Sequence, residues 1–172
     1  MPQSTENFIY QKAAKCWECV DRALLLLANL IKEERNLNLP DYHRARNLLR
    51  DAEGFYNEAL RNAKKLLGPP PSYSSVDYLK WRDQLLEEFQ ILAMSQEYES
   101  LRSELLEDEF LRARMTEDII EALLKKHFQT QQSGKRKLSN IKVRMVLDRL
   151  AELLDEAKEL NRQVGLKLKP KV

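Results

Sequence analysis

The sequence predicts an all-α protein, a single helical bundle of five to six helices that opens with a long N-terminal antiparallel hairpin. Three observations carry that expectation. Apolar residues recur at three- and four-residue steps through most of the 172 residues, the spacing that lines one helix face. Glycine and proline are scarce, 4 and 6, and three of the prolines stand together at Pro69, Pro70 and Pro71; many short strands would need more turns than that. Apolar residues make up 43% and charged residues 33%, enough to bury one core beneath a solvated surface. The chain reads as one domain over 1–172: a hairpin over 5–67, a proline-rich hinge over 68–75, helices over 76–165 and a basic tail over 166–172.

The first helix is expected from Thr5 or Glu6 to about Arg35, with Ser4 or Thr5 accepting from free amides of its first turn. Ala13, Trp17, Val20, Leu24, Leu27 and Ile31 form its apolar row. Leu39 precedes Pro40 and is assigned to the connection, because a residue before proline avoids the helical region. A second helix then runs from about Asp41 to Leu67 on the row Ala45, Leu48, Leu49, Ala52, Phe55, Ala59, Ala63 and Leu66, stopped by Gly68 and the prolines.

Helical periodicity resumes after Ser74 or Ser75 and continues from Tyr78 to Leu124. A helix that long would span about 75 Å, so breaks are expected at 93–96 and at 114–116, where Thr116 can cap a helix carrying Glu117 and Asp118. Residues 129–138 read as an exposed loop. Ser139 is the expected cap of a last helix that ends at Gly165, with Val143, Leu147, Leu150, Leu154, Ala157 and Leu160 facing the core. Burial is expected in particular for Leu24, Leu27, Leu49, Leu147 and Leu154.

Several kinds of chemistry find no support. Gly54, Gly68, Gly134 and Gly165 are isolated, so no glycine-rich phosphate loop exists. Cys16 and Cys19 lie in mid-helix, where no strand-to-helix junction lowers a thiol pKa, and His43 and His127 complete no zinc spacing. Neither Glu-x-x-His nor His-Glu-x-x-His occurs. The chain is therefore read as non-catalytic, with no cofactor and no metal site. The longest apolar run, residues 23–28, is far below the roughly 20 residues that cross a bilayer. The first residues show no secretory signal and two cysteines make no disulfide scaffold, so a cytoplasmic protein without membrane partners is expected.

Charge is segregated although the net charge is only +2. Residues 83–121 hold twelve carboxylates against Arg102, Arg112 and Arg114. Residues 125–149 reverse this with Lys125, Lys126, Lys135, Arg136, Lys137, Lys142, Arg144 and Arg149 against Asp148. Arg46, Arg50, Asn57, Arg61 and Lys64 form a second basic stripe on the second helix. Arrays of this kind hold phosphate backbone without reading sequence, which makes Lys135, Arg136, Lys137, Lys142, Arg144, Arg46, Arg50 and Arg61 the candidate nucleic-acid contacts. Amides at a helix start near Ser139 would add to them.

A small, helical, charge-segregated chain with these basic residues resembles the small-subunit family of CRISPR surveillance (Cascade-type) complexes. The resemblance lies in architecture over the whole chain and not in a motif. It implies a helical bundle present in several copies within a ribonucleoprotein, RNA-guided DNA binding in antiviral defence, other protein subunits as partners, and no catalysis by the subunit itself. The acidic stretch departs from a uniformly basic bundle. A competing expectation is a protein-interaction adaptor that presents this acidic helix together with the hinge aromatics Tyr73, Tyr78 and Trp81.

Overall fold

A computed structural model describes residues 4–32, 39–67, 96–130 and 137–168. Of these residues 94% are helical, and no strand occurs among them. The helices are α1 (Thr5–Lys32), α2 (Leu39–Leu67), α3 (Gln96–Glu107), α4 (Glu109–Arg112), α5 (Glu117–Thr130) and α6 (Leu138–Leu168). The all-α bundle that the periodicity predicts is the observed fold class. The expected helix end at Arg35, the hinge over 68–75 with its aromatics, the break over 93–95 and the centre of the loop around Gly134 lie outside the described residues. Contacts group the chain into two compact units, Met1–Leu66 with Leu147–Val172, and Leu67–Val146.

In the first unit, Ser4 caps α1 as expected, its Oγ accepting from the Asn7 amide at 3.1 Å. The buried row of α1 is Ile9, Ala13, Cys16, Trp17, Val20, Ala23, Leu27 and Leu30. Leu24 and Ile31 are only half-buried, a correction to the expected row. Among four consecutive leucines, periodicity cannot choose the inner one, and small residues at 13, 16 and 23 let the true face pack closely.

Helix α2 runs antiparallel to α1. Lys12 pairs with Glu58 at 2.9 Å, Lys15 lies 5.8 Å from the Phe55 ring centroid, and Cys19 feels the charge of Asp51; each step forward on α1 meets a step back on α2. Buried Ala45, Leu49, Ala52, Ala59 and Ala63 form its inner face. Leu48 and Phe55, expected in that row, are only half-buried, and Leu66 is exposed at 37%, because it falls at the helix end beyond the alanine stripe. Leu39 and Pro40 are helical rather than connecting, since proline in a first turn lacks an amide that would be unpaired there anyway.

The later part of α6 closes this unit, antiparallel to α2: Lys158 pairs with Glu53 at 2.9 Å, and Gly165 lies against Tyr42. Leu147, Leu150, Leu154 and Ala157 are buried as expected, while Leu160 is half-buried. Gly165 does not stop the helix, which continues to Leu168. This glycine serves a close helix approach, where a Cβ would sit 2.7 Å from the Tyr42 hydroxyl oxygen.

The second unit holds the broken segment. Thr116 caps α5 as expected, accepting from the Ile119 amide at 3.3 Å. A further break, which periodicity does not show, falls at Asp108. Its carboxylate accepts from the Leu111 amide at 3.0 Å and starts the single turn α4. Helices α3 and α5 lie antiparallel, with Tyr98 edge-on to Phe128 at 5.2 Å and Arg102 bonded through Nε to Glu121 at 2.6 Å. Helix α5 extends to Thr130 and α6 begins at Leu138, so residues 129, 130 and 138 are helical and not loop. Ser139 lies inside α6 and is not its cap; the Lys137 carbonyl accepts the first helical bond, from Ile141 at 3.0 Å.

Candidate nucleic-acid interface

The outer face of α2 carries the clearest charged array. With Ala45, Leu49, Ala52, Ala59 and Ala63 turned inward, helical geometry turns Arg46, Arg50, Asn57, Arg61 and Lys64 outward within about 60° of arc. All five are exposed, as is Lys65 beside them. Three of the four acids of α2 lie in ion pairs, Glu53 with Lys158, Glu58 with Lys12 and Asp41 with Arg44, and the fourth, exposed Asp51, lies toward Cys19 of α1. Among the described residues, Arg46, Arg50, Arg61, Lys64 and Lys65 therefore have no carboxylate partner. Lys65, four residues after Arg61, joins the array although the sequence stripe ends at Lys64.

The basic run over 125–149 is divided by the fold. Lys135 and Arg136 lie outside the described residues. Lys137 is exposed at the start of α6. Lys142 has only 18% of its side chain exposed and pairs with Asp108 at 2.6 Å, its ammonium 5.8 Å from the Phe110 ring centroid. Arg144 is half-buried, and its Nε is buried without a hydrogen-bond partner among the described residues. Arg149 pairs with Glu152 at 3.0 Å. Of the eight candidate contacts, Arg46, Arg50, Arg61 and Lys137 are exposed cations without an ion pair among the described residues; Lys142 is already neutralised by an acid.

The acidic stretch is sorted in the same way. Arg102 holds Glu121 and lies 3.9 Å from Glu117, and its guanidinium pKa is raised chiefly by the bond to Glu121. Glu99, Glu104, Glu107, Glu109 and Asp118 are exposed and outside any ion pair among the described residues. A cleft of about 330 Å³ in this unit is lined by Leu106, Arg112, Met115, Glu117 and Ile120, with one charge of each sign.

The cysteines stay thiols. Burial, then the neighbouring Cys19, pushes Cys16 up to about 12. Burial first, then Asp51 and Glu18, raises Cys19 as well. A thiol so placed is a poor nucleophile and a poor metal ligand near neutral pH. Among the described residues no group of three or more His, Cys, Asp or Glu could hold a metal ion, and no helix is long and apolar enough to cross a membrane. No protein-family model, curated protein or solved structure matches the chain.

Proposed function

We propose that the chain is a non-catalytic helical subunit of a nucleoprotein assembly that holds nucleic-acid backbone on the outer face of α2. The observation that supports this reading is the row of exposed cations, Arg46, Arg50, Arg61, Lys64 and Lys65, with no carboxylate partner among the described residues. Mutual repulsion along one helix face costs stability, and a polyanion relieves it while releasing its condensed counterions. Lys137, in the other compact unit, is a further exposed cation, and Lys135 and Arg136 adjoin it in sequence; Lys142 is held by Asp108. The same role is implied by the resemblance to the small subunits of CRISPR surveillance complexes, in a cytoplasmic, antiviral setting.

The test compares the intact protein with the triple variant Arg46→Glu, Arg50→Glu, Arg61→Glu in a nucleic-acid binding assay across salt concentrations. The wild type should bind with a log–log salt slope of about −0.7 to −0.9 per phosphate contacted, and the variant should lose that binding while its helical circular dichroism stays unchanged. Salt-dependent affinity equal in both proteins would transfer the role elsewhere. A second reading, contact with a basic protein partner, rests on Glu99, Glu104 and Glu107, exposed along α3 and outside any ion pair among the described residues. Charge reversal at those three glutamates should abolish capture of such a partner and leave nucleic-acid affinity intact.

A further inference from the structure

Resting on the reading of α2 as a backbone-holding helix, we infer that its ligand is a double-stranded RNA, lying with its minor groove across the middle of α2 and with Gly54 at the point of closest approach. The cations on α2 are not evenly spaced. Arg46 and Arg50 form one group, and Arg61, Lys64 and Lys65 a second; Arg50 and Arg61 lie about 16 Å apart along the axis. The interval carries no free cation among the described residues. It holds Glu53, which Lys158 of α6 neutralises at 2.9 Å, beside the same outer arc. A strand running lengthwise along α2 would find no net positive charge over that interval. Two backbones, one at each group, would straddle it.

Gly54 supplies the second, independent observation. Glycine in a helix interior costs stability relative to alanine, and among the described residues nothing requires it, since a Cβ built there meets no atom of theirs within 4 Å. The residue is exposed, on the outer face and in the middle of the interval. A bare backbone between two cationic grips is what a groove edge needs for close contact.

The shape of the unit then selects the groove. With α1 and α6 both packed against α2, only its outer arc is presented, so it cannot sink into a deep groove as a projecting recognition helix does. The minor groove of an A-form duplex is wide and shallow and displays 2′-hydroxyls and base edges. Asn57, exposed beside Gly54 and outside any described interaction, offers a donor and an acceptor to those groups.

The test measures binding of the full-length protein to a short RNA duplex, the DNA duplex of the same sequence and each single strand, at two salt concentrations. The RNA duplex should bind at least about tenfold tighter than the others, because only it pairs a shallow groove with 2′-hydroxyls. Gly54→Met should raise the thermal midpoint by about 2–4 °C, as a better helix former with space around it, yet weaken RNA-duplex binding severalfold. Asn57→Ala should narrow the gap between RNA and DNA duplexes. Equal or tighter binding of single strands or of the DNA duplex would overturn the inference and leave the backbone-holding role standing, as would a Gly54→Met protein that binds the RNA duplex undiminished. Failure to bind any nucleic acid would remove both.

Discussion

A Cβ on Gly165 would lie 2.7 Å from the hydroxyl oxygen of Tyr42 but 3.5 Å from the ring carbon that bears it. One oxygen atom thus sets the close approach of α6 to α2. Replacing a helical glycine by alanine gains up to about 1 kcal/mol where space allows, less in a last turn such as this one, and here the hydroxyl blocks that gain. Gly165→Ala alone should be neutral or destabilising. In a Tyr42→Phe background the same substitution should stabilise, because the remaining 3.5 Å contact is ordinary packing. A thermal double-mutant cycle measures this; additive effects would mean that the two helices do not meet as described.

Asp108 has two duties, capping α4 through Oδ1 and pairing with Lys142 through Oδ2. Asp108→Ala should destabilise by about 1–3 kcal/mol, combining cap loss with the loss of a half-buried ion pair. Asparagine keeps the capping oxygen, so Asp108→Asn should cost distinctly less. Denaturant titration of the three proteins decides it, with equal losses for alanine and asparagine counting against the cap.

Leu27 is fully buried and Leu24 is not, although they stand three residues apart in one apolar run. Leu27→Ala should cost about 2–5 kcal/mol. Leu24→Ala should cost less than half of that. Chemical denaturation of both variants gives the comparison directly.

That pair shows where sequence periodicity carries and where it stops. The helical class, the caps at Ser4 and Thr116 and the inner rows of α2 and α6 are legible, because each depends on residues within two turns of one another. The inner face of α1 is less so: six apolar residues in succession fit more than one face, and only the packing partners choose. Gly165 reads as a helix stop until Tyr42, far away in sequence, is placed against it. The candidate interface divides the same way. Arg46, Arg50 and Arg61 share a face by helical spacing alone, whereas the neutralisation of Lys142 depends on Asp108, a residue of another helix junction that periodicity runs straight through.

Alkaline pH should reveal the buried thiol. The Cys16 pKa is raised from 9.0 to about 12, above its value in the unfolded chain. Its contribution is therefore fully present below pH about 9, where both states are protonated, and is lost between about 9 and 12 as only the unfolded thiol ionises. Tyr56 and Tyr98, raised by burial first, act in the same direction from their ordinary value of 10. Stability measured by denaturation should fall over this window, and Cys16→Ala, though less stable at neutral pH, should show a shallower fall. An identical slope in the variant would mean that Cys16 is open to water.

The first compact unit is assembled from both ends of the chain, Met1–Leu66 and Leu147–Val172, while the second is one continuous stretch. On a ribosome, α1 and α2 emerge long before the helix that completes their core. Until then the inner leucines and alanines of the hairpin stay partly uncovered through the synthesis of some eighty further residues. The intervening unit has all of its residues available sooner and can order first.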